Sequence, residues 1–272
     1  MMKSFRVRTL LKSFTLLTMA GACAALAHAA SNKVDISKDG DKLVIQSNGI
    51  ADHAVGLFPN KNNPHRISEQ RHRFVIDATP RKAGRFTQMK GSAFGVALNG
   101  VPLDPSAAEF YKRDRKSGWS YDPFKMPGRL GLDQNNAHVQ PNGAYHYHGV
   151  PTGLISSSEQ HSPLIGYAAD GFPIYAQFGY SDGTVVEQTS SYRLKRGTRP
   201  SGPKGTYDGT FVEDWEYAKN AGSLDQCNGK VTVTPEFPNG TYAYFITDEF
   251  PYIPRCWVGK PSRVGFQKKQ RR

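Results

Sequence analysis

The chain has 272 residues, with 35 Lys+Arg against 23 Asp+Glu, 38% hydrophobic and 11% aromatic residues. That aromatic content with an ordinary charge density can build a core, which excludes intrinsic disorder, and 27 Gly with 18 Pro exclude a coiled coil. Beyond the first thirty residues no apolar run approaches the roughly 20 residues a membrane span needs.

The first 29 residues read as an export signal. Lys3, Arg6, Arg8 and Lys12 precede an apolar stretch over 14–26, which ends in Ala27-His28-Ala29, an A-x-A cleavage pattern. Cleavage near Ala29 predicts a periplasmic or secreted protein that does not span the membrane. The formal charge of +12 falls to +8 once the four signal cations are removed, and six more basic residues in 259–272 leave the body near +2. No basic stripe runs through that body, so nucleic acid is not an expected partner. The segment 259–272 is expected as a disordered basic tail able to touch anionic surfaces. Cys23 leaves with the signal. In an oxidising compartment the remaining isolated pair, Cys227 and Cys256, is expected to form one disulfide.

Along the body, β-type stretches at 42–47, 71–78, 92–98, 184–187, 230–234 and 241–247 are separated by eight Asn-Gly or Asp-Gly steps, which favour turns because both positions tolerate positive φ. Helical signals are few: two turns over 106–113 and a short amphipathic helix over 212–220. The expectation is one mainly-β domain over 30–258, a sandwich or irregular barrel with long loops and one or two short helices.

Two segments repeat each other. Leu132-Asp133-Gln134-Asn135-Asn136 followed by Pro141-Asn142-Gly143-Ala144-Tyr145-His146-Tyr147-His148 shares its form with Leu224-Asp225-Gln226-Cys227-Asn228 followed by Pro238-Asn239-Gly240-Thr241-Tyr242-Ala243-Tyr244-Phe245. The shared Asx turn, P-N-G turn and alternating tyrosines read as scaffold: Asn142 and Gly143 for the bend, Tyr145 and Tyr147 for the core. The difference lies in the histidines. His138 corresponds to Lys230, His146 to Ala243 and His148 to Phe245.

Positions i and i+2 of a strand share a face, so His146 and His148 can converge, and His138 lies across the turn at hairpin distance. Three imidazoles around one bend suit zinc or copper, with a fourth position open to water or another group. Candidates for that position or for an outer shell are His53, Asp52, Asp133 and His161, although Asp133 reads equally as an Asx-turn residue. His65 and His72 lie among Arg66, Arg71 and Arg73, where a cation is repelled, and are set aside. No G-x-S-x-G elbow supports a nucleophilic hydrolase, and the D-Q-x-N segments lack the glutamate that closes a calcium loop.

The stretch from Leu130 to Gly149, with Tyr145-His146-Tyr147-His148 at its end, resembles the signature of the YHYH-domain family of exported bacterial proteins. Residues 165–175, 235–244 and 48–64 resemble further blocks of that family, so the resemblance spans about residues 34–258. It implies an exported, one-domain organisation centred on His146 and His148, and it brings no activity with it. Two functions stay open. One is an exported metal-binding protein, which a metal-bound water would make a hydrolase or hydratase. The other is a non-catalytic module that binds a small molecule or partner without metal.

Overall fold

A computed structural model describes residues 30–126, 130–155 and 160–267. The export signal expected at 1–29 lies outside them. The chain begins with an antiparallel sheet of β1 (Val34–Asp39), β2 (Lys42–Ser47) and β3 (His72–Asp77), followed by β4 (Lys82–Gln88). Then come β5 (Gly95–Ala97), β6 (Pro102–Leu103), β7 (Ala137–Val139) and β8 (Tyr145–Tyr147), and after them β9 (Leu164–Ala168) and β10 (Pro173–Tyr175). Two small hairpins, β11 (Phe178–Ser181) with β12 (Thr184–Glu187) and β13 (Tyr192–Leu194) with β14 (Trp215–Tyr217), precede β15 (Gly229–Thr232), β16 (Thr241–Phe245) and β17 (Cys256–Gly259). The fold is mainly β, built on a curled eight-stranded half-barrel sheet ordered β15-β16-β10-β9-β5-β6-β8-β7.

That order has a symmetry the histidine-bearing repeat only hinted at. From either edge the pairings read antiparallel, parallel, antiparallel to a central antiparallel pair, β9 with β5. At the centre, Gly95 opposes Ala168, Val96 opposes Tyr167 and Ala97 opposes Gly166. The two segments match in sequence as well: Phe94-Gly95-Val96-Ala97-Leu98-Asn99-Gly100-Val101-Pro102-Leu103 against Ile165-Gly166-Tyr167-Ala168-Ala169-Asp170-Gly171-Phe172-Pro173-Ile174. Gly95 and Gly166 answer one steric demand in both copies. A Cβ on Gly95 would strike the Tyr167 carbonyl, and one on Gly166 would strike the Val96 carbonyl. The sheet is therefore two similar halves, each a hairpin followed by a second hairpin whose last strand lies parallel to the first hairpin's last strand.

One continuous core joins Ile45, Phe74 and Ile76 of the first sheet to Phe94, Val96, Tyr145, Tyr147, Tyr244 and Trp257. The Cys227–Cys256 disulfide is present and ties the second half to β17.

Two sequence expectations need correction. No α-helix occurs among the described residues. In the 106–113 segment only Tyr111–Arg113 forms a 3-10 turn, and 212–220 divides into a 3-10 turn (Val212–Asp214) and β14. Alternation of Trp215 and Tyr217 serves a strand, and pairing with β13 supplies the backbone bonds that a lone three-turn helix would lack tertiary support for. The basic segment from 259, though largely exposed as far as Gln267, is also not an unanchored tail. Phe266 is buried against Phe74 at 5.0 Å between ring centroids, and its carbonyl accepts from Ala93 N. One aromatic residue among the cations fixes the segment, and residues 268–272 lie outside the described ones.

Candidate metal centre

The site is a hairpin whose turn dictates its register. Gly143 N donates to the Gln140 carbonyl at 2.8 Å and Gln140 N to the Ala144 carbonyl at 2.9 Å, leaving Pro141-Asn142-Gly143 as a three-residue loop. Gly143 adopts φ +84°, a left-handed conformation that suits glycine, and a Cβ there would run into Ser68. The Asn142 side chain accepts from Ala144 N at 3.3 Å. These bonds set Ala137 opposite Tyr147, His138 opposite His146 and Val139 opposite Tyr145.

His138, His146 and His148 consequently share one face. Their ring centroids form a nearly equilateral triangle with sides of 4.6, 4.8 and 4.7 Å, and one ring nitrogen from each lies within 4.8 Å of the others. An ion held at 2.0–2.1 Å by three nitrogens in tetrahedral geometry needs them about 3.4 Å apart, so binding draws the rings inward by about 1.4 Å at most. His146 and His148 are buried and His138 is partly exposed. The His138 Nδ1 lies 2.9 Å from the Leu130 carbonyl, and the His146 Nδ1 lies 3.4 Å from the Ala144 carbonyl. A carbonyl only accepts, so a proton on Nδ1 satisfies both contacts, and in that tautomer Nε2 is the atom each ring would turn toward a metal; the Asn63 amide nitrogen also lies 3.3 Å from His138 Nδ1. Asn63, itself buried, anchors β7 by donating to the Val139 carbonyl at 2.9 Å.

Period-two alternation turns Tyr145 and Tyr147 to the opposite face, where three of the four candidates for a fourth ligand, Asp52, His53 and Asp133, are found. Tyr145 Oη donates to Asp133 Oδ2 at 2.6 Å, and Asp133 also accepts from the backbone N–H groups of Gly56, Asn135 and Ala137. Tyr147 Oη lies 2.6 Å from His53 Nε2 and receives a bond from Asn99 Nδ2 at 2.9 Å; the same Asn99 nitrogen reaches Asp52 Oδ1 at 2.8 Å. Burial raises the pKa of both tyrosines, so their hydroxyls stay protonated donors. His161 belongs to the second half, its ring 4.9 Å from that of Tyr175 and 4.8 Å from that of Tyr180. His53, Asp52, Asp133 and His161 are thus engaged elsewhere and do not join the triangle. Their spacing in the sequence carries no sign of which face of β8 they approach.

A cleft of about 420 Å³ adjoins two corners of the triangle, lined in part by His138, His146, His65, Glu109 and Met126. The arginines around it set His65 aside in the sequence, yet its own side chain borders the cleft. Glu109 has no local pattern that marks it.

A family model described as YHYH protein matches residues 73–259, which include both hairpins and the Tyr145-His146-Tyr147-His148 block. The chain belongs to the YHYH family. Neither a curated protein nor a solved structure matches it. In this YHYH protein the two tyrosines of the naming motif serve the core, and its two buried histidines gather with the partly exposed His138 on the opposite face.

Proposed function

We propose that this YHYH protein is an exported metal-binding protein that holds zinc or copper through His138, His146 and His148. The observation that carries the reading is the triangle of three imidazoles at 4.6–4.8 Å, two of them buried, on the side of β8 facing away from the tyrosine network. Imidazole suits both metals, and three protein nitrogens leave at least one position of a four-coordinate ion for water or a small ligand. Zinc held by these three histidines would supply an acidified water near neutrality, and the adjoining cleft would present a substrate for hydrolysis or hydration. An export signal over 1–29, cleaved near Ala29, would put this chemistry in the periplasm or outside the cell, and the last basic residues would contact anionic surfaces.

Elemental analysis of the purified protein, with thermal unfolding in chelator and in added Zn²⁺ or Cu²⁺, tests the proposal. The expected result is one equivalent of metal and a stabilisation of about 2.7 kcal/mol when free ion reaches a hundred times Kd, both lost in His146→Ala and His148→Ala. A protein that takes up neither ion and melts at one temperature throughout would be the metal-free binding module instead.

A further inference from the structure

The duplication of the sheet identifies a fourth member of the histidine set. Leu103 of β6 pairs in parallel with Tyr147 of β8, and its equivalent in the other half, Ile174, pairs with Tyr244. The next pair in that half is Tyr175 with Phe245. By the same step Asp104 stands opposite His148, and Asp104 N donates to the Tyr147 carbonyl at 2.9 Å, as that register requires. Opposed residues of neighbouring strands share a face at about 4.8 Å, which a carboxylate and an imidazole readily span.

Asp104 is only 2% exposed. Burying a carboxylate is costly unless it has polar company. Its Oδ1 accepts from Ser106 N at 3.0 Å, and the Arg255 guanidinium, which donates to the neighbouring Pro105 carbonyl at 2.7 Å, lies close enough to interact electrostatically. The comparison between halves shows what such an expensive group replaces. At the four equivalent positions the second half carries Tyr175, Lys230, Ala243 and Phe245, and three of these, with Leu224, form a small apolar core. Where one half has a carboxylate and three imidazoles, the other closes the same space with rings and methyl groups. The four positions change together.

We propose that Asp104 is the positioning residue of the metal centre, a carboxylate that orients His148 and raises its basicity toward the bound ion. The role is that of the outer-shell carboxylate commonly paired with a metal-bound histidine. Asp133 and His53, the outer-shell candidates in the sequence, lie on the tyrosine face instead. The inference rests on the metal-binding reading, and the experiment separates the two.

Zn²⁺ affinity is measured by chelator competition on the full chain, wild type beside Asp104→Asn, well below the melting temperature of the chelated protein. Asparagine keeps an acceptor for Ser106 N and removes the charge. The expected result is a 10–100-fold loss of affinity, with a shifted visible spectrum of the Co²⁺-loaded protein. A merely structural Asp104 would lower the melting temperature of the chelated variant and leave affinity and spectrum unchanged, which overturns the inference. Should the variant not fold, ¹⁵N-histidine NMR of the zinc-loaded wild type decides. A strongly deshielded proton on the non-ligating nitrogen of His148 supports the carboxylate partner, and its absence refutes it. If the wild type binds no Zn²⁺ or Cu²⁺, the metal reading falls first; if it binds and Asp104→Asn matches it, only this inference falls.

Discussion

The β7–β8 and β15–β16 hairpins occupy opposite edges of one sheet and are built alike on one face only. In both, an aspartate opens the turn by accepting from the backbone two and four residues on, at 2.9 and 3.2 Å: Asp133 from Asn135 and Ala137, Asp225 from Cys227 and Gly229. In both, an asparagine follows at φ 54°, Asn136 and Asn228. Both aspartates also receive a tyrosine hydroxyl, from Tyr145 and Tyr242. The opposite faces share almost nothing. Because side chains alternate with period two, a hairpin can keep one face as scaffold and hold either a cluster of imidazoles or a hydrophobic plug on the other.

The largest effect should come from breaking the plug. Phe245 is fully buried beside Tyr175 and the backbone of Gly179, so Phe245→Ala is expected to cost about 3–5 kcal/mol. Denaturant titration in chelator reads this directly, and Zn²⁺ affinity of the folded variant should not change. The equivalent His148→Ala should cost less in chelator and instead remove the metal-dependent increment. Equal losses in chelator would show that both faces are structural and would end the distinction between them.

A second difference lies inside the shared turn. Position 227 is a cysteine bridged to Cys256, whereas its counterpart Asn135 accepts from Gly153 N at 2.8 Å and donates to the Ala54 carbonyl at 2.9 Å. Closing a loop with a sequence separation of 29 contributes about 3.5 kcal/mol in the chain-entropy account. Replacing both cysteines by serine should lower stability by that order. The proposed metal centre lies in the other half, so its affinity should stay within twofold. A parallel loss of affinity would mean that the halves are mechanically coupled.

Much of this contrast is legible in the sequence. Two P-N-G turns with alternating tyrosines fix the register, and H-x7-H-x-H around one of them places three rings on one face because the turn length is set. The failures share a cause: they concern partners brought from far along the chain. Asp52 and His53 read as possible ligands, but whether a loop reaches the imidazole or the phenol side of β8 depends on tertiary packing. Asp104 gives no signal by itself and emerges only from its equivalence to Tyr175 across a sheet centre that Gly95 and Gly166 make possible. Phe266, alone among basic residues, is likewise defined by its pocket.

The smallest expected effect probes an ionisable difference on the scaffold face, where Asp170 stands for Asn99. Tyr244 Oη donates to Asp170 Oδ2 at 2.7 Å and Gly259 N at 2.8 Å, while Tyr147 receives a bond from Asn99. Burial pushes the Asp170 carboxyl up to about 6, although these hydrogen bonds pull the other way. An unfolded aspartate titrates near 3.9, so between about pH 4 and 6 the folded protein holds the proton more tightly than the unfolded chain. Its stabilising contribution is therefore complete below that window and declines as pH rises through 6. Asp170→Asn, which copies the first half, removes the titration and keeps an amide able to meet both partners. Measured as a difference from wild type, so that every other titrating group cancels, the stability of Asp170→Asn should improve steadily from pH 4 to about 6 and then level. A difference that stays constant from pH 4 to 7 would mean that Asp170 is ionised throughout, held by its two donors strongly enough to offset its burial.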